Sequence, residues 1–224
     1  MGKDNPYPKD LVLKQEHVLF VQQALLRLVE GYNLRIEDGN AHYETVLEGT
    51  TPKGVKWVNV HKQHQMNMMQ NVKSKALPYL PGDNGVDIGC GIEKVKQGCI
   101  GIDSGGHYGD MCDADDFRDA KSLEGYEDGQ FDWVFSSNTL EHIPEFEHAL
   151  DEWVRVLRKR GYIFLYLPWP LVCKIHSCKN DPYHVWDPSP LALYIALEHR
   201  GVEVLNVDAD TDPWGCFSIV GRKK

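Results

Sequence analysis

Residues 86–91 read Val-Asp-Ile-Gly-Cys-Gly, and residues 101–103 read Gly-Ile-Asp. No other feature of the chain constrains its fold as tightly. An apolar strand runs into a glycine turn, and a second short apolar strand then ends on a carboxylate. Glycines in such a turn let backbone approach a ligand closely, because no Cβ stands in the way. A carboxylate at the end of the next strand can accept both hydroxyls of a ribose. The arrangement therefore fits a nucleoside-containing cofactor.

The spacing discriminates among such cofactors. Dinucleotide folds use G-x-G-x-x-G, whose third glycine permits close packing of helix on strand. Here that position is Lys94, so the fingerprint fails. Asp87, two residues before the first glycine, disfavours a pyrophosphate and favours a cationic group. A nicotinamide dinucleotide is thus the weaker reading.

Two further segments agree with one family. Residues 131–143 read Phe-Asp-Trp-Val-Phe-Ser-Ser-Asn-Thr-Leu-Glu-His-Ile, and residues 154–168 read Val-Arg-Val-Leu-Arg-Lys-Arg-Gly-Tyr-Ile-Phe-Leu-Tyr-Leu-Pro. Together with the glycine turn, and in this order, they resemble the class I S-adenosylmethionine-dependent methyltransferases. S-adenosylmethionine carries a sulfonium and an ammonium but no phosphate, which suits Asp87. The resemblance spans roughly residues 81 to 224. It implies an α/β fold with a Rossmann-like sheet, mostly parallel with an antiparallel last strand; it says little about residues 1–80, which read from their own pattern as a helical and hairpin extension.

The resemblance also implies roles. Backbone around Gly89, Cys90 and Gly91 would line the methionyl end of the cofactor, and Asp87 would help hold its ammonium. Asp103 would hold the ribose, Asp113 and Ala114 the adenine, and Ser136 and Ser137 would close the site near the sulfonium. Methyl transfer is an in-line displacement in which positioning is the protein's main task. An oxygen or nitrogen acceptor can also need a base. His142 and His184 are the candidates, since an imidazole titrates near neutrality. Glu141 reads as a loop anchor. Cys173, His176, Cys178 and His184 are spaced too tightly for a two-pair zinc module, so no metal is expected.

Between these motifs, strands and helices alternate, which implies a parallel sheet flanked by helices. Strands are expected at 85–89, 99–103, 108–112, 131–136, 161–167, 202–207 and 216–222. Helices are expected at 145–158 and at 189–200, the latter capped by Ser189, entered by Pro190 and ended by Gly201. Only Ile92 to Gly98 separates the glycine turn from the second strand, too few residues for an ordinary crossover helix. A shortened helix or a bare loop is expected there, leaving a face of the sheet for other residues to fill.

Upstream, residues 10–30 read as a helix, 33–47 as a hairpin around Asp38-Gly39, 55–60 as a strand and 61–77 as a helix. That last segment carries Met66, Met68 and Met69, suited to a lid or to a covering element.

The 224 residues carry a net charge of −9, against a general nucleic-acid or membrane-surface binder. The expected acceptor is a small metabolite such as a sugar, glycan precursor or natural product. No apolar run approaches a membrane span, no secretory pattern is visible, and Pro6 spoils a myristoylation motif. Six scattered cysteines suggest reduced thiols and a cytoplasmic setting. A partner subunit that binds the cofactor without turnover is the principal alternative to an enzyme.

Overall fold

The computed structural model describes residues 35–37, 40–42, 69–106, 112–172, 177–209 and 215–224. The chain divides into two compact units, Met1–Thr45 and Val46–Lys224. In the first, β1 (Arg35–Glu37) and β2 (Asn40–His42) pair antiparallel with Glu37 opposite Asn40. This is the hairpin expected around Asp38-Gly39. The helix expected at 10–30 and the strand at 55–60 lie outside the described residues, as do Met66 and Met68.

The second unit begins, among described residues, with α1 (69–76), which tightens into a 3-10 turn over Leu77–Tyr79. Val72, Ala76 and Leu80 recur at helical spacing and are buried, giving the stripe that a packed helix needs. They meet Val95, Cys99, Trp133, Phe135, Phe164, Tyr166 and Val220 in one apolar cluster. This cluster fills the sheet face beside the short crossover. The crossover itself is a series of turns over residues 91–99 with no helix, as its length predicts.

Seven strands form the sheet: β3 (Gly85–Ile88), β4 (Ile100–Asp103), β5 (Asp116–Phe117), β6 (Phe131–Ser137), β7 (Leu157–Pro168), β8 (Val202–Asp208) and β9 (Cys216–Lys223). Their order is β5-β4-β3-β6-β7-β9-β8. β9 runs antiparallel to both β7 and β8, while β5, β4, β3, β6 and β7 are mutually parallel. The expected architecture, parallel apart from the last strand, is thus the observed one.

Two boundaries differ from expectation. The strand beside β4 is Asp116–Phe117; of the strand expected at 108–112, residue 112 is not in a strand and the rest lies outside the described residues. A two-residue edge strand has no alternation to detect. β7 begins at Leu157, directly after α2 (Phe146–Val156), several residues earlier than expected. β7 is irregular there, its register against β6 shifting between Leu157 and Tyr162, and Arg160 takes φ 65°, an unusual conformation for a non-glycine residue.

α2 buries Phe146, Ala149, Leu150, Trp153 and Val154 on one face. α3 (Pro190–His199) is capped as its sequence predicts, with Ser189 Oγ accepting from Ala192 N at 3.2 Å. Among the described residues, no helix is long and apolar enough to cross a membrane.

Candidate active site

Because β3, β4 and β6 are parallel, their carboxyl ends open on the same edge of the sheet. Open α/β sheets bind ligands at such an edge, where the strand order reverses. Here the order reverses between β3 and β6.

The glycine turn follows β3. Gly89 has φ +76° and Gly91 φ +57°, a region that side chains with a Cβ rarely enter. A Cβ on Gly89 would also lie 1.8 Å from Thr139 Oγ1. The turn after β3 and the loop after β6 are therefore in contact at this point. Gly89 N and Cys90 N donate to Ile102 O at 2.7 and 3.2 Å, fixing the turn against the end of β4.

Asp103, half-buried at that end, faces the turn. Its Oδ2 accepts from Gly91 N at 3.0 Å and its Oδ1 from Gly105 N at 2.8 Å. A carboxylate has about four lone-pair sites, so two accepted bonds leave room for ribose hydroxyls. Asp113 stands next to the same turn. Asp113 N donates to Gly91 O at 2.7 Å, and its Oδ2 accepts from Lys94 N and Gln97 Nε2 at 3.1 and 3.2 Å. Ala114 follows, half-buried. The structure thus brings Gly89, Cys90, Gly91, Asp103 and Asp113 together around one turn.

Asp87 lies beneath it, fully buried. Its Oδ2 accepts from Val95 N at 2.6 Å, while Oδ1 has no hydrogen-bond partner among the described residues. Burial raises its pKa to about 7, against the opposing effects of the Val95 hydrogen bond and the Lys73 and Lys94 charges. Cys90 is buried too, and desolvation pushes its thiol pKa up.

Ser136 and Ser137 are buried at the end of β6. Ser136 Oγ donates to Ile88 O at 2.8 Å, so this hydroxyl ties β6 to β3. Beyond them, Leu140–His142 form a 3-10 turn. Glu141 is 1% exposed, and its Oε2 has no hydrogen-bond partner among the described residues. Desolvation raises its pKa to about 8, and the Asp181 charge adds to this. His142 Nδ1 lies 3.0 Å from Tyr183 O, so Nδ1–H is the donor. The His142 and His184 rings meet edge to face with centroids 4.9 Å apart. The two expected base candidates, distant in sequence, are therefore neighbours. Cys173 and His176 lie outside the described residues; Cys178, in the same loop as His184, donates its backbone N–H to Asp187 Oδ1 at 2.7 Å.

Sequence reading missed several members of this site. Thr139 is the contact of Gly89. Lys94, which replaces the third glycine of a dinucleotide motif, is 6% exposed and donates Nζ to Asp115 Oδ2 at 2.8 Å. The Gly101 amide and Lys94 together hold the Asp115 pKa below its ordinary value. The signal was present in outline: two lysines, Lys94 and Lys96, among turn residues, followed by acids at 113, 115 and 116.

Residues 114–165 match a family model described as a methyltransferase domain. Solved structures agree with it in fold. A S-adenosylmethionine-dependent methyltransferase of Archaeoglobus fulgidus is 19% identical, with a TM-score of 0.57, covering 75% of this chain and all of its own. A chain of the Haloferax volcanii complex that holds the methyltransferase activator Trm112 is 17% identical, with a TM-score of 0.61, covering 74% of this chain and 94% of its own. The chain has the class I methyltransferase fold. A S-adenosylmethionine-dependent methyltransferase of Mesorhizobium loti, 14% identical with a TM-score of 0.53, shares it over 68% of this chain and 96% of its own. No curated protein matches the sequence. In this methyltransferase fold the glycine turn, Asp103 and the loop after β6 occupy one rim, and the matched segment contains β5, β6, α2 and most of β7.

Proposed function

We propose that this protein transfers the methyl group of S-adenosylmethionine to an oxygen or nitrogen atom of a small metabolite. One observation carries the reading. A glycine turn faces the Asp103 carboxylate, and beneath it Asp87 keeps a buried oxygen with no partner among the described residues. Asp103 accepts the ribose hydroxyls, and Asp113 and Ala114 border the adenine. Asp87 neutralises the ammonium, directly or through water. Gly89, Cys90 and Gly91 form the wall along the methionyl chain, with Ser136 and Ser137 closing the far side. His142 and His184, in contact with each other beside the same rim, act on the acceptor's proton. The acidity of the chain favours a small acceptor over a nucleic acid.

Calorimetry tests the reading. S-adenosylmethionine or S-adenosylhomocysteine should bind at micromolar affinity, and NADH should not. In Asp103→Ala, hydrogen bonds from ribose to a charged carboxylate are lost, each worth roughly 1.5–3 kcal/mol, so affinity should fall at least about tenfold. Unchanged affinity in a folded variant would sink the assignment. Binding without turnover on any acceptor would instead favour a silent partner subunit.

A further inference from the structure

We propose that Glu141, His142 and His184 form the protein side of a divalent transition-metal site. One ligand atom from each residue lies within 4.8 Å of those of the other two. The Glu141 carboxylate supplies a buried oxygen, Oε2, with no hydrogen-bond partner among the described residues. An oxygen in that state costs free energy unless something satisfies it, and a cation would. Because His142 gives its Nδ1–H to the Tyr183 carbonyl, its Nε2 carries the lone pair. Metal-bound histidines are oriented this way, the second nitrogen donating to a carbonyl or carboxylate. His142 Nε2 is 3.9 Å from Glu141 Oε1. Ligands at about 2.0–2.2 Å from a tetrahedral ion lie about 3.3 Å apart, so this pair needs to close by only about half an ångström.

The scaffold around the three residues is built to hold them. Val185 N donates to Glu141 O at 3.0 Å, and Trp186 Nε1 to Leu140 O at 2.8 Å. Trp186 stacks on Phe146 at 4.1 Å between centroids. The loop carrying His184 is thereby fastened to the turn carrying Glu141 and His142. Glu141 and His184 form a buried floor, and His142 an exposed mouth. Two imidazoles and one carboxylate suit zinc, iron, cobalt or manganese more than magnesium. Three protein ligands leave positions open, as in catalytic rather than structural sites.

The use of the ion rests on the function proposed above, with His142 and His184 acting on the acceptor's proton through the ion they hold and not as free bases, while the site itself rests on geometry alone. An acceptor hydroxyl bound to the ion would lose its proton more readily. The O–H bond breaks and the proton leaves to solvent. The freed oxygen pair forms a bond to the methyl carbon as the carbon–sulfur bond breaks, and that bond's electrons stay on sulfur. The products are the methyl ether and S-adenosylhomocysteine, with no oxidant or reductant consumed.

The test uses the full untagged chain, stripped with a chelator and titrated with Co2+ and Zn2+ without cofactor. One ion should bind at micromolar affinity or tighter, with a cobalt spectrum free of thiolate charge transfer. Changes to outer partners of metal ligands cost ~10–100-fold in affinity, so Glu141→Gln, His142→Ala and His184→Ala should each cost at least as much. Zinc should also protect both histidines of the unmodified protein from diethyl pyrocarbonate, a readout that needs no variant to fold. Cofactor affinity, measured separately in the stripped protein, keeps the failure of this site distinct from failure of the cofactor reading. Binding no tighter than millimolar would overturn the proposal. So would affinity retained in all three variants, or a thiolate band lost in Cys90→Ser, which would move the ion to the separate group of Cys90, Asp103 and Cys112.

Discussion

The two loops that touch at Gly89 and Thr139 are held in opposite ways. In the crossover after β3, backbone N–H groups donate to acidic side chains: Gly91 to Asp103, Lys94 to Asp113 and Val95 to Asp87. Amides this soon after a strand have no intrahelical acceptor even where a helix follows, so they need other acceptors, and the carboxylates serve. In the loop after β6, the holding is done by backbone carbonyls, with Glu141 O and Leu140 O accepting from Val185 N and Trp186 Nε1. The Glu141 carboxylate takes no part in this joint, and its Oε2 has no hydrogen-bond partner among the described residues. A carboxylate at this rim is therefore weak evidence for a ligand by itself, because several of them hold crossover amides. The informative ones are Asp87 and Glu141, each with a buried oxygen that the described residues leave unpaired.

The largest effect should come from Asp87, the residue that does both jobs. Its pKa rises from 3.8 to about 7 because it is buried. The folded protein then holds a proton that the unfolded chain has released between those values. Stability from this group is fully present below the unfolded pKa and is lost as pH rises to about 7. At one pKa unit per 1.36 kcal/mol, the loss is on the order of 4 kcal/mol. Asp87→Asn should flatten that slope in denaturant melts. Cofactor affinity shifts the opposite way, since an ammonium favours the ionised form. It should weaken by up to about tenfold per pH unit below about 7, and that dependence should vanish in Asp87→Asn. A pH-independent affinity in the unmodified protein would mean that Asp87 only anchors Val95, like the other crossover acids.

How far these loops were legible in the sequence follows from the same contrast. The strands flanking the glycine turn, and the capped helix α3, are written in local pattern: apolar runs ended by glycine, and Ser-Pro entering a helix. The bare crossover followed from counting residues. β7 was read to start late because Gly161 looked like the turn. Its glycine is required instead for close approach, since a Cβ there would lie 2.7 Å from Asp132 O, while Arg160 takes the positive φ. Asp103 was legible because it ends a strand. The meeting of His142 with His184, or of Thr139 with Gly89, was not, because each depends on the sheet bringing distant loops together.

Gly89→Ala should show the next largest effect, and Gly82→Ala sharpens it. Both glycines have positive φ, +76° and +63°, but a Cβ on Gly82 meets nothing within 4 Å. Gly82→Ala should therefore cost only the conformational term of about 1–2 kcal/mol. Gly89→Ala adds a collision with Thr139, bringing the cost to about 2–4 kcal/mol. It should also weaken S-adenosylmethionine binding by more than about tenfold. Equal melting temperatures for the two variants would show that the two loops part easily.

The smallest effect is at the contact itself. Thr139 Oγ1 lies 3.1 Å from Ser137 O and 3.4 Å from Ile88 O. It is thus a donor to the end of β6, with a longer approach to the end of β3. Thr139→Val keeps the shape that Gly89 accommodates and removes only that donation. A net hydrogen bond is worth about 0.5–1.5 kcal/mol, and the melting curve should register a loss of that size. Cofactor affinity should change by less than about threefold, because the hydroxyl's proton is directed at backbone carbonyls and the turn keeps its packing. A stability change this small with a tenfold or greater loss of affinity would reassign the hydroxyl to the ligand. The contrast between the two loops would then have to be redrawn, with Thr139 belonging to the cofactor side and not to the joint between them.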